Sequence, residues 1–236
     1  MKKFPSLPPH TILLPLIAAM LLALAPSRAA AQTHYESNVA IGAKGGTTLS
    51  MMTLSPSVPQ SMLMGTTWGL TFRYIEEKNF GFIVEFNLVQ RGWKEKFEKD
   101  PRYAYQRRLT YLHLPFLTHI YFGSHKFRGF FNAGPEVCWL IGDSHSQNFD
   151  VANPPVFNEE YRETEQFDMD VHTKFDYGIS AGLGMEFILK NKHSFILEGR
   201  YYFGIGNLFG SSKVDHFAAS RGMAISVTLG YMFRLK

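Results

Sequence analysis

Nine histidines and a scatter of serines are the residues of this chain best suited to nucleophilic or general-base chemistry. His113 and His119 are separated by an even number of residues, so both fall on one face if the segment is extended. With a neighbouring carboxylate such as Glu85 and a serine, they would make the set that attacks an acyl ester. The expectation is nevertheless that no enzyme is built here. No Gly-x-Ser-x-Gly elbow is expected, and local sequence places no serine beside either histidine. A histidine on the same face as carboxylates is more commonly a member of a packed polar network than a base. No catalytic residue is therefore assigned.

A second group of chemistry-bearing residues lies between Asp143 and Val171. Asp143, Asp150, Glu159, Glu160, Glu163, Glu165, Asp168 and Asp170 lie there with Arg162 as the only Lys or Arg. The preceding polar segment has the opposite bias, with Lys94, Lys96, Lys99, Arg102, Arg107 and Arg108 outnumbering Glu95, Glu98 and Asp100. The plain expectation is two solvated loops attracting each other. The sharper one is that the acidic loop binds a divalent cation or a partner. Its carboxylates lack the spacing of an EF-hand, so no metal and no cofactor is assigned.

These groups must be positioned by elements that the rest of the sequence defines. The chain has 236 residues, 45% hydrophobic and 15% aromatic, with 21 Phe and 11 Tyr against a single Cys. That excludes a disordered chain, a disulfide scaffold and a cysteine zinc site. The net charge of +4 is carried largely by Lys2, Lys3 and Arg28, and the remainder is close to neutral. No electrostatic case for nucleic acid follows. Residues 1–31 read as a secretory signal, with Met1-Lys2-Lys3 as the positive region, Ile12–Ala25 as the apolar run and Ala29-Ala30-Ala31 before the cut. The mature domain is then 32–236.

Beyond Gln32 the sequence alternates with period two. Phe175, Tyr177, Ile179, Ala181, Leu183, Met185 and Phe187 interleave with Asp176, Gly178, Ser180, Gly182, Gly184 and Glu186. The 64–75, 80–92 and 221–235 segments repeat the pattern. Eight strands are predicted, near 38–50, 64–75, 80–92, 108–122, 128–142, 172–189, 194–206 and 221–235, joined alternately by long and short connections. That alternation predicts an all-β, eight-stranded antiparallel up-and-down transmembrane β-barrel, with short turns and both termini on the periplasmic side.

One face collects the large apolar residues, while the other collects Lys44, Arg73, Glu85, Arg91, Glu136, Asp176, Glu186, Glu198, Arg200 and Arg234. The aromatic volume of Trp68, Phe72, Phe82, Phe86, Trp139, Tyr177, Phe187, Tyr201 and Phe203 exceeds what an eight-stranded interior holds, so that face must be outside. The charged face then fills the lumen as ion pairs, since isolated ions out of water cost several kcal/mol each. Trp68, Tyr74, Trp93, Trp139, Tyr201 and Tyr231 are read as interfacial belts. Cys138 is read as lumen packing, and Pro115 as a bulge or a local loss of a ladder bond.

Six short motifs add a resemblance. Gly42-Ala43-Lys44-Gly45-Gly46, Glu85 to Gln90-Arg91-Gly92-Trp93, Tyr111-Leu112-His113-Leu114-Pro115, Asn132-Ala133-Gly134-Pro135-Glu136, Phe175-Asp176-Tyr177-Gly178 and Glu198-Gly199-Arg200-Tyr201-Tyr202 occur in order. Together they resemble the PorT-like, "porin family" outer-membrane β-barrel proteins of Gram-negative bacteria, with His113 where that family commonly has an acid. The resemblance covers the mature chain and implies an outer-membrane barrel without implying one activity. The expected role is a structural or interaction anchor with a closed lumen and four displayed loops. Its partners would be outer-membrane lipid, the barrel-assembly machinery during insertion, and an extracellular or secretion-system protein that the sequence does not identify. A narrow channel or secretion-system accessory is the first alternative, and an outer-leaflet lipid A-modifying enzyme the second.

Overall fold

The computed structural model describes residues 37–157, 162–171, 173–209 and 216–235. The predicted signal segment, Glu159 and Glu160 lie outside the described residues. Eight long strands carry the fold: β1 (Asn38–Ser55), β3 (Leu63–Glu77), β4 (Phe80–Glu95), β5 (Tyr105–Gly123), β6 (Phe127–Gln147), β7 (Phe175–Leu189), β8 (His193–Gly204) and β9 (Ala219–Arg234). A two-residue β2 (Gln60–Ser61) lies along the end of β4. The long strands pair antiparallel in the order β4-β3-β1-β9-β8-β7-β6-β5, and a β4–β5 ladder joins the two ends into a ring. The fold is an eight-stranded antiparallel barrel. The first and last strands meet in register from Ala40↔Arg234 to Ser55↔Ala219, so no sheet edge is left open there.

Three tight turns close one end. Lys190 and Asn191 take positive φ of 51° and 56°, the pair that a two-residue hairpin turn demands, and Asn79 takes 71°, a conformation that Asn adopts most readily among non-glycine residues. At the other end the strands run past the predicted limits: β1 reaches Ser55, β4 reaches Glu95, β5 begins at Tyr105 and β6 reaches Gln147. A membrane strand needs about 9–11 residues, so the 19-residue β5 and 21-residue β6 project as a paired arm. The extension was invisible as hydrophobic alternation because its outward residues, among them Gln106, Arg108, Ser144 and Ser146, are polar. Around Pro115 the ladder has the expected gap: on the β4 side pairing skips from Val84↔Phe116 to Asn87↔His113 without a change of register. Farther along, an extra residue on β6, Ile141, shifts the register between Thr110 and Tyr111.

Burial follows the strand period and inverts the pattern of a water-soluble domain. Trp68, Phe82, Tyr177, Leu183, Ile225 and Leu229 are exposed, while Glu186 and Arg73 are respectively 0% and 1% exposed. A belt of apolar side chains this extensive has no stable place in water. A lipid-facing Arg or Lys at mid-bilayer would cost roughly 2–4 kcal/mol. The wall therefore fits a hydrocarbon solvent outside and a polar filling within.

Candidate functional site: the ion-paired lumen and its aromatic cap

The lumen network is centred on Arg200, which β8 carries inward at the same parity as Glu198. Its guanidinium donates to both oxygens of Glu85 on β4, at 2.7 and 2.9 Å, and to Glu198 at 2.8 and 2.9 Å. Lys44 from β1, midway round the ring between β4 and β8, closes the group, 2.7 Å from Glu85 and 3.5 Å from Glu198. Asn87 donates to Glu85 at 2.8 Å and Asn132 to Glu198 at 2.9 Å, so the lone pairs left over by the cations are also used. Gly69 makes this possible: a Cβ there would collide with the Asn87 amide oxygen. A bidentate Arg between two carboxylates is among the strongest polar arrangements a protein makes.

The remaining predicted residues flank that centre. Toward the tight turns Arg73 pairs with Glu186 at 2.8 Å. Toward the long loops Arg91 reaches Asp176 at 3.3 Å, with its guanidinium 4.4 Å from the Tyr111 ring and 4.1 Å from the Tyr202 ring. Tyr202 donates to Asp176 at 3.0 Å, and Cys138 lies 3.7 Å from the Tyr202 hydroxyl. Arg234 differs from the rest of the inward set: it sits half-exposed at the tight-turn end and makes no ion pair among the described residues.

The histidines correct two expectations. The acid at His113 is Glu136, at 3.2 Å, not Glu85, because the β4–β5 register places His113 opposite Asn87. His119 faces Asn132 at 2.7 Å. One stretch, Gly178-Ile179-Ser180-Ala181-Gly182, does fit the Gly-x-Ser-x-Gly pattern, against the expectation that none occurs. It lies within β7, not at a strand-to-helix elbow. Ser180 donates to Glu136 at 2.6 Å, so the carboxylate stands between serine and histidine. A nucleophile needs the histidine in that middle position to receive its proton. The trio as arranged is a polar clasp.

Two lumen cavities of about 20 and 30 Å³ flank the central group, one lined by Arg73, His119 and Asn132, the other by Arg91, His113 and Glu136. Each has room for a water molecule or two, far short of an aqueous channel.

Above the lumen the long-loop end forms a second core. Trp93, Phe97, Tyr105, Phe157, Phe167, Phe209 and Phe217 are buried together there, with Tyr105 and Phe167 rings 4.7 Å apart and Phe97 and Phe157 rings 5.4 Å apart. This corrects the belt reading of Trp93, which is 0% exposed. Its odd position on β4 is that of Glu85 and Arg91, so it points inward. The cap also corrects the picture of two solvated loops of opposite charge. The buried pair that ties them is Arg162 of the acidic segment to Glu95 of the basic one, at 2.7 Å, the reverse of their net charges. Arg162 lies 3.7 Å over the Phe97 ring, and Gln166 donates to Glu95 at 2.9 Å. Burial pushes the Glu95 carboxyl above the ordinary range, opposed by hydrogen bonds from Gln166 and Arg162.

Among the acidic residues, Asp143 is on β6 instead of a loop and is held by Arg107 at 2.6 Å. Asp150 accepts from Ala152 and Asn153 of its own turn. Glu163 meets His216 at 2.6 Å. Glu165 opens a short 3-10 helix (Glu165–Phe167), and Asp168 and Asp170 are exposed. Inward parity could have found Arg107, Asn87, Asn132, Ser180 and Tyr202. No periodic signal marks Phe157, Phe167, Phe209 or Phe217.

An apolar-walled eight-stranded barrel with a neutralised lumen defines the class, and comparison with known proteins gives the family. The outer membrane protein beta-barrel domain model matches residues 30–210, and the chain belongs to that family. No curated protein matches it. Among solved structures, the outer membrane protein OprG from Pseudomonas aeruginosa is similar at 11% identity and a TM-score of 0.51, covering 86% of this chain and 99% of that one. Neisserial surface protein A aligns at 12% identity, TM-score 0.43, over 84% and 99% of the two chains. The outer membrane enzyme PagL aligns at 14% identity, TM-score 0.36, over 83% and 98%. The OprG likeness is one of fold, and the other two are too distant to carry an argument.

Proposed function

We propose that this outer-membrane β-barrel protein is a closed anchor that displays a folded cap. In this reading residues 1–31 direct export, the long-loop end faces outside, and the termini stay in the periplasm. The assembly machinery would read the aromatic last strand, which carries Tyr231 and Phe233 on its outer parity. The observation that carries the reading is Arg200 bridging Glu85 and Glu198 across the lumen, with Lys44 behind it. A passage for solutes would require that group to part, leaving buried charges without partners. The engagement of Asp143 by Arg107 and of Glu163 by His216 supports a structural part for the acidic segment over a cation site. The narrow-channel reading, and with it the secretion accessory suggested by the PorT-like motifs, is separated by planar-bilayer recording. The anchor gives no stable conductance steps. Reproducible open steps from purified protein would overturn it.

A further inference from the structure

The outward strand positions at the long-loop end sort charge by sign. On the described strands the acids of that end are Glu95, Asp143 and Asp176, and each is taken by an arginine: Arg162, Arg107 and Arg91. The cations of opposite parity have no such partner. Lys94 projects outward from β4, Arg108 from β5 and Arg221 from β9, and no carboxylate pairs with any of them among the described residues. The Nε atoms of Arg108 and Arg221 are covered and meet no acceptor.

Lys94 and Arg108 form one patch. Lys94 pairs across the ladder with Gln106, and Arg108 with Gly92, so the two cations are diagonal neighbours on the same outer face. Such neighbours lie about 7–8 Å apart at their backbones, within reach of a single tetrahedral anion for side chains this long. Gly92 leaves the site opposite Arg108 without a side chain, and its φ of 155° together with the Arg107 carbonyl against it keeps any other residue out. Gln106 adds an amide between the cations.

The height of the patch selects its ligand. Outward residues below it are Leu88, Phe86 and Phe82 on β4, with Leu112, Leu114 and Phe116 on β5, and polarity changes at the Gln90↔Thr110 pair. Arg108 is two residues above that change and Lys94 four, about 7 and 13 Å along the strand before tilt shortens the rise. The headgroup layer on each side of a bilayer is roughly 5–7 Å thick. Arg108 lies in it, and the Lys94 stem can bend down to it. Backbone pairing and parity fix both residues, so the patch belongs to the rigid wall and not to a loop.

We propose that Lys94 and Arg108 form a docking site for the phosphate of an outer-leaflet glycolipid, with Gln106 between them as a further donor. The acyl chains would run down the Leu88, Phe86 and Leu112 surface. Arginine suits the role because its planar fork matches a phosphate's oxygens, and lysine supplies the second charge. The site rests on the outward orientation of the long-loop end proposed above, which trypsin cleavage of the cap on intact cells tests on its own. The lumen plays no part in it, so its failure would leave the closed-anchor reading standing.

The test uses purified full-length mature protein in detergent micelles, titrated by native mass spectrometry with bisphosphorylated lipid A and with the same lipid A after phosphatase treatment. The wild type binds the phosphorylated lipid at least tenfold more tightly. Lys94→Ala/Arg108→Ala brings the two lipids within about twofold, while Lys78→Ala/Lys190→Ala, at the tight turns, keeps the full preference. Heat-modifiable gel migration confirms that each variant is a folded barrel. Equal binding of both lipids by the wild type, or an undiminished preference in the Lys94/Arg108 variant, would overturn the site. Complete competition by millimolar inorganic phosphate would overturn the lipid as its ligand.

Discussion

The lumen and the cap are built on opposite plans within one strand framework. In the lumen, Arg200, Lys44, Glu85 and Glu198 are buried against one another while Phe86, Leu183 and Leu229 face outward. In the cap, Trp93, Phe167 and Phe217 are buried while Lys96 and Glu98 pair at the surface at 2.6 Å. The β4 strand crosses from one regime to the other: Glu85 and Arg91 point into the polar lumen, and Trp93, at the same parity, points into the aromatic core. What changes along the strand is the surrounding solvent. Where the outside is hydrocarbon, apolar side chains gain nothing from the interior, and the polar ones collect there. Once the strand emerges into water the ordinary rule returns.

The difference can be broken first at the lumen. Arg200→Ala leaves the buried carboxylates of Glu85 and Glu198 to share one cation, Lys44, beside the Asn87 and Asn132 amides, and removal of one partner from such a group costs about 3–5 kcal/mol. The expected outcome is a marked drop in the temperature at which the barrel loses heat-modifiable migration. The combined Glu85→Gln/Glu198→Gln/Arg200→Met variant, which removes the charges together, recovers most of the loss. A barrel unaffected by Arg200→Ala would deny the network its stabilising part.

Arg162→Ala makes the corresponding cut in the cap, stranding the buried Glu95 carboxylate. A cost of up to about 3 kcal/mol is expected because water can re-enter a loop core more readily than the lumen. Trypsin should then cleave at Lys96 and Lys99 much faster, with the barrel's heat-modifiable migration unchanged. Concerted loss of both would show that cap and barrel are one cooperative unit.

The smallest effect is the pH response of Glu95. Its carboxyl is raised in the folded cap by burial, so between the ordinary value of 4.5 and the raised one the closed cap holds a proton that the opened loops release. The closed state is thus favoured by this group at low pH and loses that contribution as pH rises through the window. Hydrogen exchange of cap amides should show a pH dependence of opening in the wild type that Glu95→Gln lacks. An identical dependence in both proteins would assign it to other groups.

Much of the lumen was legible because period two is a local property: Glu85, Arg91, Glu136, Glu198 and Arg200 all point inward by parity. Their partners were not legible. Glu85 on β4 and Arg200 on β8 meet across the tube, and that distance depends on ring closure and on the register of every intervening ladder. The same limit sent Glu85 to the histidines in expectation, where β4–β5 register gives His113 to Asn87 and leaves Glu136 as its acid. In the cap, parity marks Trp93 and Tyr105, but Phe157, Phe167, Phe209 and Phe217 lie in aperiodic segments. Net loop charge also misdirects, since the Arg162–Glu95 pair runs against both totals. Desolvation and packing decide which charges meet there, and a sum over the sequence carries neither.

The three tryptophans sample both regions: Trp68 and Trp139 are 63% and 52% exposed on the outer wall, and Trp93 is wholly enclosed in the cap. Single-tryptophan variants reconstituted into vesicles of brominated phospholipid report which of them touch acyl chains. Strong bromine quenching of Trp68 and Trp139, with Trp93 emission untouched by bromine and by aqueous iodide, is the predicted result. Unquenched emission from Trp68 and Trp139 would contradict a wall whose apolar face meets lipid.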